Sequence, residues 1–379
     1  MSANPARKRL VLVGGGHAHA LVLRDLVRRP EPDVAVTLVT RDVATPYSGM
    51  LPGHVAGFYP REAMHIDLAR LAESGGIRLV HGEAVGFDRA GRQVRLAGGA
   101  AVSFDVLSID IGIAPDLSGI AGAAEHALGV KPIGDFLEKW DGLKARALGP
   151  GGPRGFAVIG GGAAGLCLVF AVAATLRREA AGRGLDPSRF AFHLVSAAAP
   201  PELNPGMRRA ALRALERHGI GLHRGAAASV DPAGVTLADG RRIAADAVLV
   251  STQGAPPAAF RGSGFATDAR GFLALRPTLE VEGETGVFAA GDCATVLAHP
   301  RPKAGVYAVR QGKPLARNLR LSLRGEAPEP FVPQARHLVI LSTADGRAIA
   351  GRGDRLAYEG RAAWWLKDRI DRGFMRLFD

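Results

Sequence analysis

Two glycine-rich turns constrain this chain more than any other feature. The first is Gly14-Gly15-Gly16, after residues 9–13, Arg-Leu-Val-Leu-Val. The second is Gly160-Gly161-Gly162-Ala163-Ala164-Gly165, after residues 156–159, Phe-Ala-Val-Ile. A short apolar run bounded by glycine reads as a strand buried on both faces, as in parallel sheets. Glycines at its end permit a tight turn and a close approach of the backbone to a ligand. The helix that follows offers free N–H groups and the positive end of its dipole, which suits a diphosphate. The second turn is a complete G-x-G-x-x-G, whereas the first reads G-x-G-x-x-H, with His19 in the third place. A lone G-x-G is weak evidence. Here each turn is followed by a second strand, residues 34–40 and 190–196, so the same β-α-β logic occurs twice. The expected fold is α/β, with two Rossmann-like dinucleotide-binding units, the second inserted in the first.

A third stretch joins them. Residues 287–294, Val-Phe-Ala-Ala-Gly-Asp-Cys-Ala, form an apolar strand that runs into Gly291-Asp292. Gly291 lets a ligand come close, and the Asp292 carboxylate can accept from a ribose or ribityl hydroxyl. Residues 303–312 read as the start of a helix, which either aims its N-terminal dipole and Lys303 at the ligand of Asp292 or simply has a basic start. Residues 45–53, Thr-Pro-Tyr-Ser-Gly-Met-Leu-Pro-Gly, form an irregular loop whose Tyr47, Met50 and Leu51 pack on something flat, a ligand or the core. The carboxylate that usually follows the second strand of such a unit is missing twice. Thr40, Arg41 and Asp42 stand there in the first unit, leaving the ribose to Thr40 or Asp42, and Ser196 stands there in the second. Arg208, Arg209 and Arg213 further on suit a 2′-phosphate or a solvated basic face.

Elsewhere the pattern predicts a helix over 65–74, short antiparallel strands around Val80, Val85, Val94 and Leu96, and a strand over 105–110 ending near Gly112. Helices are expected at 135–147 and 205–219 and a hairpin around Asp345-Gly346. The expected segments are a first FAD-type unit over 1–120 and 256–335, an NAD(P)-type unit over 121–255, and a C-terminal hairpin and helix over 336–379. In the tail, Leu366, Ile370, Phe374, Leu377 and Phe378 recur at helical spacing, with Trp364 and Trp365 at the top and Lys367, Arg369, Arg372 and Arg376 on other faces. Such a helix lies in a membrane interface or docks on the protein's own core.

Net charge is +12 and the pI about 10.4, which favours anionic partners such as phosphates or an acidic lipid surface. No nucleic-acid-binding motif occurs, so nucleic acid is not an expected partner. Cys167 and Cys293 are far apart and no C-x-x-C exists, which excludes a thioredoxin-type disulfide. Both read as reduced thiols, so the expected setting is cytoplasmic, or peripheral on the inner face of the cell membrane. The histidines form no metal set, although His17 and His19 lie within reach of a diphosphate.

Together, the two glycine turns, residues 45–53, 287–294 and 303–312 resemble the two-dinucleotide-binding-domain flavoproteins, and within them type II NADH:quinone dehydrogenase-like proteins. More narrowly, residues 14–20, 45–53, 65–68, 130–133 and 303–312 look like the flavoprotein module found beside selenide, water dikinase. The resemblance implies FAD across Gly14, Gly16 and Asp292, with His17, Thr40, Arg41, Gly112 and Gly291 on the FAD side and Pro46, Ser48 and Gly49 flanking the flavin. It implies NAD(P)H at Gly160, Gly162 and Gly165, hydride transfer to the flavin, and a quinone acceptor entering near the C-terminal helix, with Lys303, Tyr307 and Gln311 in the acceptor pocket. Cys167 stands where these dehydrogenases usually have a glutamate, and Ile111 where the wider group has a threonine. Neither cysteine suits the sulfide:quinone pattern of paired thiols beside the flavin. A selenium or sulfur substrate, or a non-catalytic role beside the kinase, are the alternatives.

Overall fold

The structure, a computed structural model, describes residues 7–198 and 203–379. In chain order the main elements are β1 (Lys8–Val13), α1 (His17–Arg28), β2 (Val34–Thr40), α2 (Leu68–Ser74), β3 (Arg78–His81) and β4 (Val106–Ile109). There follow β5 (Ala127–Gly129), α3 (Ile133–Ala147), β6 (Gly155–Ile159), α4 (Ala163–Gly182), β7 (Ala191–Ser196), α5 (Pro205–Arg217), β8 (Ile220–Arg224) and β9 (Ala247–Val250). The chain ends with β10 (Val287–Ala289), α6 (Gly305–Arg324), β11 (Leu338–Ser342), β12 (Ala348–Arg352), β13 (Leu356–Gly360) and α7 (Arg361–Met375).

Two five-stranded parallel sheets organise the molecule, ordered β10-β4-β1-β2-β3 and β5-β9-β6-β7-β8. Because β10 joins the first sheet after the second is complete, the second unit is an insertion in the first. The outgoing and returning chains, Ala114–Pro115 and Gly254–Ala255, pair antiparallel at the crossing. The continuous apolar strands are buried on both faces, as parallel strands covered by helices must be. Helix α4 is apolar nearly all round, and Gly165–Ala173 are all buried, so it is a central helix of the second core.

The structure corrects several expectations. Residues 78–81 extend the first parallel sheet as β3, because they follow a helix and pack beside β2. The antiparallel meander is Ala84–Asp88, Gln93–Leu96 and Ala101–Ser103. The helix expected from residue 65 starts at Leu68, after the Asp67 side chain accepts from the Arg70 amide at 2.9 Å and caps it. His65–Asp67 is instead a strand against Ala44–Pro46. The C-terminal hairpin has a third strand, β13, on which Arg217 of α5 finds Glu359 at 2.8 Å.

The loop at 45–53 turns into a short helix, Leu51–Val55, and Met50 and Leu51 are buried in the second core. Helix α7 splits its apolar stripe. Phe374 and the following Phe378 are buried, while Trp365, Leu366, Ile370 and Leu377 face solvent. No helix among the described residues is long and apolar enough to cross a membrane.

Candidate cofactor and active site

The first glycine turn sits on a buried acid. Gly14 has φ +94°, and the Gly16 amide donates to the Asp110 carbonyl at 3.0 Å. A Cβ on Gly16 or on Gly291 would overlap Asp110 Oδ1, closer than the 3.0 Å that real side chains keep. The Asp110 carboxyl, 3% exposed, therefore fills the space beneath both turns. Its Oδ2 accepts from the His19 amide at 2.9 Å, and the Ala18 amide adds a second bond. Burial pushes this acid up to about 7, with Asp292 adding to the rise and the two amides opposing it. Asp110 was not singled out in the sequence; the only signal was a carboxylate at the end of an apolar strand.

His19 is fully buried. Because the Gly14 carbonyl can only accept, Nδ1 carries the proton and donates to it at 2.7 Å, and Nε2 accepts from Ser108 Oγ at 2.8 Å. Burial pushes His19 down to about 4, so it is neutral. The ring braces the turn from inside the sheet and is not turned to a diphosphate. His17 differs. Its ring bonds the Pro46 carbonyl, Nε2 accepts from the Ser48 amide at 3.4 Å, and the ring centroid lies 5.3 Å from that of Tyr47. Burial lowers its pKa, with nearby Asp292 opposing that shift.

At the end of β10, Asp292 is paired with Lys131 Nζ at 2.6 Å, a cation that arrives from the second unit just before α3. Gln311 Oε1 accepts from the Gly291 amide at 2.8 Å and holds that turn. Lys303 turns its ammonium to the Ala294 carbonyl (2.5 Å) and Thr295 Oγ1 (2.8 Å), over the Phe272 ring, and burial lowers its pKa. The Tyr307 hydroxyl lies 3.2 Å from His337 Nδ1. Lys303, Tyr307 and Gln311 thus share one narrow cavity of about 30 Å³ with Gly291 and Asp292, each with its polar group already engaged. The N-terminus of α6 meets the loop, since a Cβ on Gly305 would stand 3.2 Å from Ser48 Oγ.

The remaining first-unit residues spread around this centre. Thr40 Oγ1 donates to the Asp42 carbonyl at 2.9 Å, and Arg41 pairs with Asp42 (3.2 Å) and with Asp135 of α3 (3.4 Å). Gly112 borders open space. Pro46 ends the short strand against His65, and the Gly49 carbonyl accepts from Lys367 Nζ of α7 at 2.8 Å.

The second turn is tighter. Gly160 has φ +120°, and a Cβ on Gly165 would overlap the Gly160 carbonyl. Ser196 packs on Gly161, so no carboxylate stands at this strand end. Of the arginines weighed for a 2′-phosphate, Arg213 pairs with Glu359 of β13 at 3.8 Å. Cys167, two residues after Gly165, is buried near Lys367 and Asp371, and burial pushes its thiol up to about 11. Cys293 is likewise pushed up to about 12, and both are free thiols. Among the described residues no three metal-ligating side chains come together.

Both turns fit a dinucleotide. Gly16 and Gly162 cap α1 and α4 in extended backbone with no side-chain cap. In α1 Asp110 takes the amides of Ala18 and His19, which leaves the His17 amide at this helix end for an anion. Bound FAD and NAD(P)H supply the redox chemistry; the chain supplies the cradles, the acid at Asp292 and the fixed dipoles.

Residues 8–312 match the family described as pyridine nucleotide-disulphide oxidoreductase. A probable ferredoxin reductase, CtmF of Castellaniella defragrans, is 36% identical over 42% of this chain, and the match spans only 38% of that protein. The NADH dehydrogenase-like protein YutJ of Bacillus subtilis is 24% identical over 96% of this chain and 97% of its own. The type II NADH:quinone oxidoreductase of Staphylococcus epidermidis is 23% identical over 96% of this chain and 94% of its own. The fold of NDH2 from Plasmodium falciparum, solved with NADH, superposes with a TM-score of 0.81 at 12% identity, covering 98% of this chain and 97% of that one. By sequence match and by its paired turns, this chain belongs to the pyridine nucleotide-disulphide oxidoreductase family and is a flavin-dependent oxidoreductase that uses FAD and NAD(P)H.

Proposed function

We propose that this protein passes a hydride from NAD(P)H, held at Gly160–Gly165, to FAD, held at Gly14–Gly16 and Asp292, and then reduces a quinone-type acceptor. The observation that carries the acceptor is the placement of α7. Its inner Phe374 lies 4.5 Å from the Tyr47 ring and 6.3 Å from that of His17, while Trp365, Leu366, Ile370 and Leu377 line its outside. Apolar side chains thus lie both on the solvent side of this helix and beside the Tyr47 and His17 rings, which suits a hydrophobic acceptor. The full-length similarity to a type II NADH:quinone oxidoreductase supports the same reading. Anaerobic NADH or NADPH should bleach the visible absorbance of the bound flavin, and a soluble quinone should restore it in stopped-flow spectroscopy. Bleaching without recovery by quinone sinks the acceptor. Bleaching by neither nucleotide leaves the non-catalytic partner of selenide, water dikinase, a link that rests on the sequence stretches alone.

The same helix is proposed to rest on an acidic membrane surface, with Arg361, Arg369 and Arg376 exposed beside its outer apolar residues. The pair Leu366→Glu and Ile370→Glu removes two apolar anchors from the outer face and none from the core. It should abolish co-sedimentation with vesicles containing anionic lipid while leaving the flavin spectrum intact. Equal sedimentation of variant and wild type would refute the contact.

A further inference from the structure

Asp110 stands apart from the other buried acids. Glu280 has Arg276 at 3.1 Å and Asp371 has Lys367 at 2.5 Å, but among the described residues no cation pairs with Asp110. Its only donors are the amides of Ala18 and His19, at the N-terminus of α1. Among the described residues, the titratable side chains that bear on it directly are neutral or acidic. On α1, the His19 ring is neutral; across the turn, Cys293 is a buried thiol and Asp292 carries a charge. Lys131 is committed to Asp292, and Lys303 to Ala294 and Thr295. His17, at the start of α1, lies near Asp292 and Lys131. On its own strand Ser108 serves His19, and from α6 Gln311 holds Gly291.

The diphosphate of FAD brings two negative charges to the outer side of the helix end that Asp110 occupies from the inner side. Two anions on one dipole end, both shielded from water, repel strongly. Gly16, whose missing Cβ leaves Asp110 directly beneath it, is the thin wall between them. We propose that the chain holds FAD with Asp110 protonated, so that retention of the cofactor is coupled to one proton on Asp110. This rests on the FAD reading of the first turn. The coupling has a defined sign: the favourable state binds the proton, so affinity is lost as pH rises.

The test follows FAD released on dilution of the holoprotein, by flavin fluorescence, between pH 6 and 9. The wild-type dissociation constant should rise about tenfold per pH unit above roughly pH 7, as one linked proton requires. Asp110→Asn keeps an oxygen for the amides and no charge; its constant should be flat with pH and at pH 9 at least about tenfold below wild type. A merely structural Asp110 would change affinity equally at every pH. Calorimetry of FAD rebinding to the wild type, in two buffers of different ionisation enthalpy, should show uptake of nearly one proton at pH 8 and needs no variant to fold. A flat wild-type profile, a slope that survives in Asp110→Asn, or no proton uptake overturns the proposal. Failure of the wild type to bind FAD at any pH overturns the FAD reading itself.

Discussion

Replacing Gly16 by valine should give a protein that purifies without colour. The backbone there is extended, φ −64° and ψ 171°, which any residue adopts, so strain is not the cause. The cause is contact. A Cβ overlaps the Asp110 carboxyl, which is wedged between this turn and Gly291 and cannot retreat without breaking its bonds to α1. Overpacking of this kind costs about 1–3 kcal/mol. The same branched side chain stands next to the His17 amide, the one at the start of α1 that Asp110 does not take, so binding loses that hydrogen bond as well. Together these amount to about 3 kcal/mol or more, a loss of FAD affinity of at least about 100-fold. The ratio of visible to ultraviolet absorbance after purification and reconstitution reads this directly. A wild-type ratio would show that the first turn is not the flavin cradle.

The second large effect concerns the other turn. Gly165→Ala should leave the protein yellow but slow flavin reduction by both NADH and NADPH at least about 100-fold. Alanine is better than glycine inside a helix by about 1 kcal/mol, so local propensity predicts a gain. The methyl group, however, overlaps the carbonyl of Gly160, and α4 is buried on nearly all sides. The helix can yield only by moving off β6, which displaces the amides that Gly162 presents. A shift of about 1 Å in a positioning element is enough to cost two orders of magnitude in rate. Anaerobic stopped-flow at 450 nm separates this outcome from cofactor loss, because the starting absorbance is unchanged. Normal bleaching would place the nicotinamide dinucleotide elsewhere.

Much of the fold was legible because its signals are local. An apolar strand, a glycine turn and an amphipathic or apolar helix each follow from neighbouring residues, so the paired β-α-β units and the limits of α4 and β7 could be read nearly to the residue. The short elements were misplaced for the opposite reason. Residues 78–81 look like any half-apolar strand, and only the neighbouring β2 decides that they run parallel. Likewise β13 has exposed Leu356 and Tyr358, so its pattern is no stronger than that of a loop until β12 pairs with it.

The site divides in the same way. Gly14, Gly16, Gly160 and Gly165 announce themselves, since a turn with no room for a Cβ demands glycine wherever it occurs. Asp110, Lys131 and the inward turn of His19 do not, since each matters through a residue distant in sequence: Gly291, Asp292 and Ser108. The family resemblance implies one acceptor pocket for Lys303, Tyr307 and Gln311. The start of α6 does bring them into one cavity, but the partners that engage them, Ala294, His337 and Gly291, become visible only in three dimensions.

The sequence alone therefore determined the class of fold, the repetition of the dinucleotide unit and the residues that permit close backbone approach, because periodicity and glycine act over a few bonds. Tertiary structure alone decided the strand order, the side of α7 that faces solvent and the burial of an uncompensated acid between two turns. Those outcomes depend on which distant surfaces exclude water from one another, and no stretch of chain carries that information by itself.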